Sequence, residues 1–485
     1  MRVFVLLSLL AAGCGHLLPG GNRCPASGGP QWRELRSQHF ALDTDLPEAD
    51  AALWVKDLEQ LEATVTGALS NRKVDLPGRL RVVVPASLDT FAAVAPSLYA
   101  LGYFTANSFF HEPTIVLHPG ARTGDPEVIA HELGHFISFH LFPRHPDWFE
   151  EGLVQFAQTV ANPNPQYHNL AGLMPNLRIH DMQHGAADER VSLQQLFGWK
   201  DQQMGLLELW SWGLFHWLWN NKPEQLDDYQ RRLLDKTPPD KAWALAFPEF
   251  DPAKKGAAEK LEALIDAHLR EAKFDSYYEV KATSNAAYTA RLLSAAQVHV
   301  LLLDVKVSWV RRGARSLGFE DDKKNTITEQ LNFALQDDPN DPVALVRLKK
   351  MRNEPLLPAA RTAAAAHPDD WRAQSILGTL ETPGGPEQEA ALRKAVQLNP
   401  DNAYTQNRLA AALQARPQEA MPFARRAVQL TPDDPYNLET LMALDAAVKS
   451  CAEARELYDR ASDLKAKGSD ELDALLQKDL LQCPK

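Results

Sequence analysis

The chain has 485 residues, 45% of them apolar and 24% charged, an ordinary globular composition long enough for two or three domains, each with its own core. A formal net charge of -12 and the lack of any long Lys/Arg run argue against a nucleic-acid partner, because phosphate-backbone binding draws on clustered positive charge. The surface is expected to be acidic and well solvated.

The N-terminus, MRVFVLLSLLAAGC, carries one positive charge at Arg2, an apolar run from Val3 to Leu10, and small residues Ala11, Ala12 and Gly13 ahead of Cys14. It reads as an export signal, too short to span a bilayer as a mature helix. Its Leu-Ala-Ala-Gly-Cys ending resembles a bacterial lipoprotein signal, although Ala11 stands where Leu is commoner. The resemblance implies lipid modification of Cys14, and Gly15 behind it implies onward transfer to an outer membrane. Plain secretion with cleavage at the same small residues is the alternative; lipidation is preferred because a cysteine directly after Gly13 has no role in an ordinary cleavage site. Two or more acyl chains, at about 0.8 kcal/mol per buried CH₂, would hold the protein on a membrane. Residues 15–31 are rich in Gly and Pro without periodicity, as a flexible linker requires.

Order is expected from about Trp32. HFALDTD alternates like a strand, and the next segment carries Leu53, Leu58, Leu61, Val65 and Leu69 at helical intervals. RLRVVVPAS predicts a second strand, stopped by Pro85. EPTIVLHP predicts a short strand bracketed by Pro113 and Pro119; since proline cannot donate to a ladder, this strand is expected at a sheet edge, where an extended peptide could add. The remainder reads as almost wholly helical. VHVLLLDV and LLELWSWGLFHWLW are too short and too interrupted by His, Asp or Glu to cross a membrane, and are expected as buried helices. A mixed sheet followed by helices is an α+β arrangement.

The C-terminal third repeats itself. KAVQLNPDN and RAVQLTPDD are nearly identical, with weaker echoes in AAAAHPDD and ALQDDPND. Pro339, Pro368, Pro400 and Pro432 each follow an alanine by five residues: Ala334, Ala363, Ala395 and Ala427. A small residue where two helices touch, then a proline that ends the second helix, marks a helical hairpin repeat. The pattern resembles the tetratricopeptide repeat, in a degenerate form with short spacing and few of the aromatic positions; such repeats imply a protein partner. An unrelated helical bundle is the alternative. Of the remaining cysteines, Cys24 lies in the linker, and Cys451 and Cys483 lie near the C-terminus. In the oxidising surroundings of an exported protein, Cys451 and Cys483 are expected to form a disulfide worth about 3 to 4 kcal/mol on a chain-entropy account. Neither the count nor the spacing of the cysteines suggests a thiolate zinc site.

HELGHFISFHLFPRHPDWFEEG, residues 131 to 152, concentrates the ionisable groups. On a helix His131 and His135 lie one turn apart on the same side, so their imidazoles can converge on one cation, with Glu132 beside them. Zinc suits such donors, and a fourth position must stay open for water. Val128, Ile129 and Ala130 ahead of the motif are apolar, as a buried helix requires, and a second helix from about Trp148 offers Glu150 and Glu151. The pattern HExxHxxGxxH fails, since Ser138 and Leu141 stand where Gly and His are needed. His140 and His145 are expected as ordinary polar residues at a helix end, and His180 with His184 as a surface pair.

With these residues the stretch resembles the gluzincin metallopeptidases, of thermolysin and aminopeptidase N type, and especially the small peptidase MA-like domains, over roughly residues 32–275. The resemblance implies a glutamate third ligand in a Trp-x-x-Glu-Gly context, which WFEEG assigns to Glu151 with Glu150 as its exposed neighbour. It implies one Zn²⁺ held by His131, His135 and Glu151, with bound water brought to a pKa of about 7. Glu132 would be the general base for cleavage of a peptide or protein substrate. Two positions depart from the family. Trp210 stands where the aminopeptidase branch has an oxyanion tyrosine, for which His216 or Tyr103 could substitute; Gln155 stands where thermolysin-like enzymes have an Asp that orients a metal-binding His. The expected organisation is an export signal at 1–14, a linker at 15–31, the peptidase-like domain at 32–275 and helical repeats at 276–485. The function implied is a zinc peptidase lipid-anchored in a bacterial envelope; the alternative is a non-catalytic scaffold lipoprotein acting through its repeats.

Overall fold

The structure is a computed structural model that describes residues 23–69, 76–95, 101–105, 110, 112–142, 144–164, 166–175, 190–198, 204–271, 277–308, 320–432, 434–464, 477 and 483. Cys14, His180 and His184 lie outside the described residues.

Apolar alternation sets the strands, which in chain order are β1 (Arg33–Arg36), β2 (Phe40–Thr44), β3 (Leu80–Val84), β4 (Gly102–Thr105), β5 (Thr114–Leu117), β6 (Leu170–Ala171), β7 (Tyr278–Glu279) and β8 (Thr289–Leu292). β6 and β7 form a small ribbon, and the other six make one mixed sheet in the order β4-β5-β3-β2-β1-β8. β2, β3 and β5 run parallel, while β4, β1 and β8 pair antiparallel to their neighbours. The helices of this half are α1 (Glu48–Leu69), α2 (Leu88–Val94), α3 (Ala121–Gly124), α4 (Pro126–Leu141), α5 (Asp147–Gln158), α6 (Leu193–Phe197), α7 (Met204–Asn221), α8 (Pro223–Leu234), α9 (Pro239–Ala246) and α10 (Ala257–Glu271). α1 is the crossover that parallel β2 and β3 require. Leu58, Leu61, Val65 and Leu69 of its apolar stripe are buried, whereas Leu53 is exposed.

Both faces of the sheet are covered, and successive residues alternate between them. Val82, Val84, Ile115 and Leu117 join the main core with α1, α4, α5 and α7. Val83, Val116 and Tyr103 point the other way, into a second cluster with Cys24, Trp32, Phe91, Leu293, Val298 and Leu302. Leu293, Val298 and Leu302 come from β8's end and from α11 (Ala295–Ser308), so the sheet domain does not stop at residue 275 as expected. An unpaired β1 would leave its ladder groups open, and β8 closes them. The linker is likewise folded at its end: Cys24 is fully buried against Trp32, because both side chains fill the apolar layer under α11.

The proline-flanked strand β5 is not the edge. Pro113 and Pro119 sit outside its ladder and remove none of its donors, so β4 pairs with it and takes the edge position.

Beyond α11 the chain continues as α12 (Glu320–Asp337), α13 (Pro342–Met351), α14 (Leu356–Ala366), α15 (Trp371–Leu380), α16 (Pro386–Leu398), α17 (Ala403–Ala412), α18 (Pro417–Leu430), α19 (Pro435–Ala447) and α20 (Cys451–Leu464). The near-duplicate segments punctuate this array. Each proline follows a helix end, and the acid or amide two residues on caps the next helix: Asp341 for α13, Asp370 for α15, Asn402 for α17 and Asp434 for α19. Ala334, Ala363, Ala395 and Ala427 are all buried where paired helices meet. Cys451 and Cys483 are disulfide-bonded with their Cα atoms 5.4 Å apart. The array is seated on the sheet domain: Phe110, just ahead of β5, packs on Trp371 with ring centroids 4.9 Å apart, and Asn402 donates to its carbonyl at 3.0 Å. No helix among the described residues is long and apolar enough to cross a membrane.

Two glycines fix the spacing of α4, α5 and α7. A Cβ on Gly134 would stand 2.8 Å from Val154 of α5, and one on Gly152 would stand 2.5 Å from the Ser211 carbonyl oxygen of α7. Backbone cannot swing aside as a side chain can, so Gly152→Ala is expected to cost about 1–3 kcal/mol of folding stability. A urea midpoint unchanged from the parent chain would show that these helices separate without cost.

Candidate metal centre

α4 presents His131 and His135 one turn apart on its outer side while Ile129, Ala130, Leu133, Phe136 and Ile137 anchor its inner side. The chain then turns through Pro146, which precedes α5, and α5 returns against α4 at the distance Gly134 permits. This return carries Glu150 and Glu151 to the two imidazoles.

The two Nε2 atoms face each other at 3.0 Å, and Glu151 places its carboxylate oxygens 3.4 Å from His135 Nε2 and 3.9 Å from His131 Nε2. Donors around a tetrahedral zinc, at about 2.0–2.1 Å from the metal, lie about 3.3 Å apart. The two contacts of His135 meet that spacing within about 0.3 Å and the Glu151 to His131 contact is about 0.6 Å longer, and the donor atoms of the three residues form one of the groups able to hold a metal among the described residues. The tautomers agree. His131 Nδ1 donates to Gln158 Oε1 at 2.7 Å and His135 Nδ1 donates to Glu150 Oε1 at 2.8 Å. With these roles both Nε2 atoms turn toward a shared point, where a proton or a metal can be held between them.

The electrostatics express the same demand. Burial pulls the His135 imidazolium down, but the carboxylates of Glu151, Glu150 and Glu132 outweigh it and raise its pKa to about 10. Burial pushes the Glu150 carboxyl up, yet the charges of His135 and His145 and the bonds from His135 and Ser138 bring it down to about 2.

Two neighbours differ from expectation. Gln155, one turn after Glu151, does not hold a histidine; its amide donates to the Glu208 carbonyl at 3.1 Å and lies 3.4 Å from Glu151. The oxygen that orients His131 belongs to Gln158, because α4 crosses α5 nearly a further turn along. Glu150 is not the exposed neighbour of Glu151, since its side chain turns inward to His135. Only the two-turn spacing from Glu151 to Gln158 on one face of α5 hinted at the first of these.

Glu132 is half-buried beside the edge strand. A Cβ on Gly102 of β4 would come 3.4 Å from its Cγ, so the backbone of β4 runs against the Glu132 side of the centre with no side chain between. The three oxyanion candidates lie elsewhere in their packing. The Tyr103 hydroxyl donates to the Val94 carbonyl at 3.0 Å on the opposite face of the sheet, following the strand's alternation. His216 is fully buried, 2.8 Å from His268 Nε2 and stacked on Trp212. Trp210 is sealed in the main core. His140 bonds the Phe136 carbonyl and reaches the Leu430 carbonyl of α18, as part of the seam with the repeats.

No protein-family model matches the chain, and comparison with curated proteins finds no match. Among solved structures the chain is similar to TTC0263, a thermophilic TPR protein in Thermus thermophilus, with 19% identity over 33% of this chain and 92% of that one and a TM-score of 0.27. It is similar to MamA with 16% identity over 31% of this chain and 94% of that one, TM-score 0.25. Yeast Tom70 gives 13% identity over 74% of this chain and 82% of that one, TM-score 0.28. Likeness at these TM-scores carries no functional argument.

At pH 7 the metal-free centre keeps the His135 proton, because pH 7 lies below its raised pKa; a bound metal must expel it. Zinc binding is therefore expected to release about one proton at pH 7, with apparent affinity rising about tenfold per pH unit toward the pKa. Calorimetry in buffers of different ionisation enthalpy measures this, and a buffer-independent heat contradicts it. Gln158→Leu is expected to weaken zinc binding about 10- to 100-fold in a competition titration.

Proposed function

We propose that the chain is a zinc-dependent peptidase whose helical repeats position it on a protein partner. The observation that carries the reading is the convergence of His131, His135 and Glu151 on one point, with Glu132 beside them and the edge strand β4 alongside. Zinc, when bound, supplies Lewis acidity toward water and the scissile carbonyl. Glu132 takes the proton of the attacking water and passes it to the leaving amine. An extended substrate aligns along the edge strand β4, whose backbone runs beside Glu132, and this presents its scissile bond to that acid. Gln158 and Glu150 hold the two imidazoles in the tautomer that turns Nε2 inward, and Gln155 steadies Glu151 from behind. Lipid modification of Cys14, with residues 15–31 as tether, would keep this activity at a bacterial envelope, at the outer membrane.

A second reading is a non-catalytic scaffold that acts through its helical repeats. It is favoured by the array from α12 to α20, which takes up much of the chain, and by the absence of a tyrosine hydroxyl at Trp210. One variant separates the two. Glu132→Ala is expected to keep its zinc while cleavage of a peptide library falls about 10²-fold or more. Undiminished cleavage in that variant removes Glu132 from the mechanism, and a fully zinc-loaded parent chain that cleaves no peptide leaves the scaffold.

A further inference from the structure

A second group of soft and borderline donors lies on the far side of the sheet, built from three segments remote in sequence. The Sγ of Cys24, a ring nitrogen of His299 and a carboxylate oxygen of Asp337 all lie within 4.8 Å of one another. Cys24 and His299 are fully buried and Asp337 nearly so. His299 stands on α11 and faces a stripe of α12, formed by Gln330, Phe333 and Asp337 at helical intervals. Cys24 arrives from the N-terminal segment, where a short turn at Pro25–Ser27 and the packing of Trp32 fix its position.

The imidazole is set as His131 is set. Its Nδ1 donates to the Gln330 side-chain oxygen at 2.7 Å, which makes Nε2 the lone-pair nitrogen, and Nε2 is the atom that lies 3.7 Å from Asp337 Oδ2. Nitrogen and oxygen ligands of a tetrahedral zinc lie about 3.3 Å apart, so this pair has only about 0.4 Å to close. A nucleophile triad is the other use of Cys, His and Asp. It would need the acid on the Nδ1 side and a thiol within reach of substrate; here Gln330 holds Nδ1, and Cys24 is wholly out of solvent.

We propose that Cys24, His299 and Asp337 form a second, structural metal site for a borderline-soft divalent cation of the zinc class, independent of the HELGH centre. The thiolate and imidazole supply the softness zinc prefers, and the carboxylate completes the charge. The bound ion staples three parts together: the segment that follows the export signal, the helix α11 that covers the sheet, and the helix α12 that opens the repeat array. It thereby fixes the repeats relative to the sheet and holds the free cysteine of the described chain.

Cobalt distinguishes this site from the first, because only a thiolate ligand gives an intense near-ultraviolet sulfur-to-Co²⁺ charge-transfer band, and His131, His135 and Glu151 offer no sulfur. The purified full-length protein, freed of metal and titrated with Co²⁺ alone, is expected to bind about two ions per chain and to show that band. Cys24→Ser is expected to abolish the band and lose one ion, whereas His131→Ala with His135→Ala is expected to lose one ion and keep the band. Metal binding by the unmutated chain without a charge-transfer band overturns the proposal with no variant needed, as does a band that survives Cys24→Ser. A single bound ion with the band, unaffected by the histidine substitutions, upholds this site and counts against the first.

Discussion

Two imidazole nitrogens held 3.0 Å apart on adjacent turns of one helix leave between them a point that a proton or a metal ion can occupy. Both rings are held from behind, His131 by Gln158 and His135 by Glu150, which keeps the two Nε2 atoms turned toward that point. Three carboxylates stand around them and hold His135 protonated up to about pH 10 when no metal is present. The rest of the domain serves this constraint. α4 and α5 must approach closely enough for one helix to supply the rings and the other the acids, and glycines at 134 and 152 allow that approach against Val154 and the backbone of α7.

The sheet divides the molecule into two chemical compartments. On one face the main core packs α1, α4, α5 and α7 around the paired histidines. On the other, a smaller apolar layer gathers Cys24, Trp32 and α11, and passes directly into the repeat array. Because alternate residues of a strand point to opposite faces, Phe104 packs toward the histidine helix while Tyr103 next to it serves the far layer. The edge strand β4 thus brings its backbone against Glu132 while its side chains brace both compartments.

The parts of the fold carried by local rules were legible residue by residue. His131 and His135 share a helix side by covalent geometry alone, and the proline followed by an acid or amide at 339–341, 368–370, 400–402 and 432–434 ends one helix and caps the next through contacts a few residues long. β5 is paired on both sides because flanking prolines forbid nothing inside the ladder. Gln155 was read one turn short of Gln158 because the crossing of two helices, which sequence spacing does not encode, decides which turn meets the ring. Glu150 and Glu151 were indistinguishable as adjacent acids until the helix was placed.

By itself the sequence determined the elements and their repeats, the histidine pair on α4 and the acid beside it, since each depends on bonds and contacts within about a turn. The tertiary structure alone decided which strand ends the six-stranded sheet, which oxygens orient the histidines, and that Cys24 meets His299 and Asp337. Those meetings join segments hundreds of residues apart. Burial of apolar surface brings such segments together, and that force, having no direction along the chain, leaves no periodic mark in it.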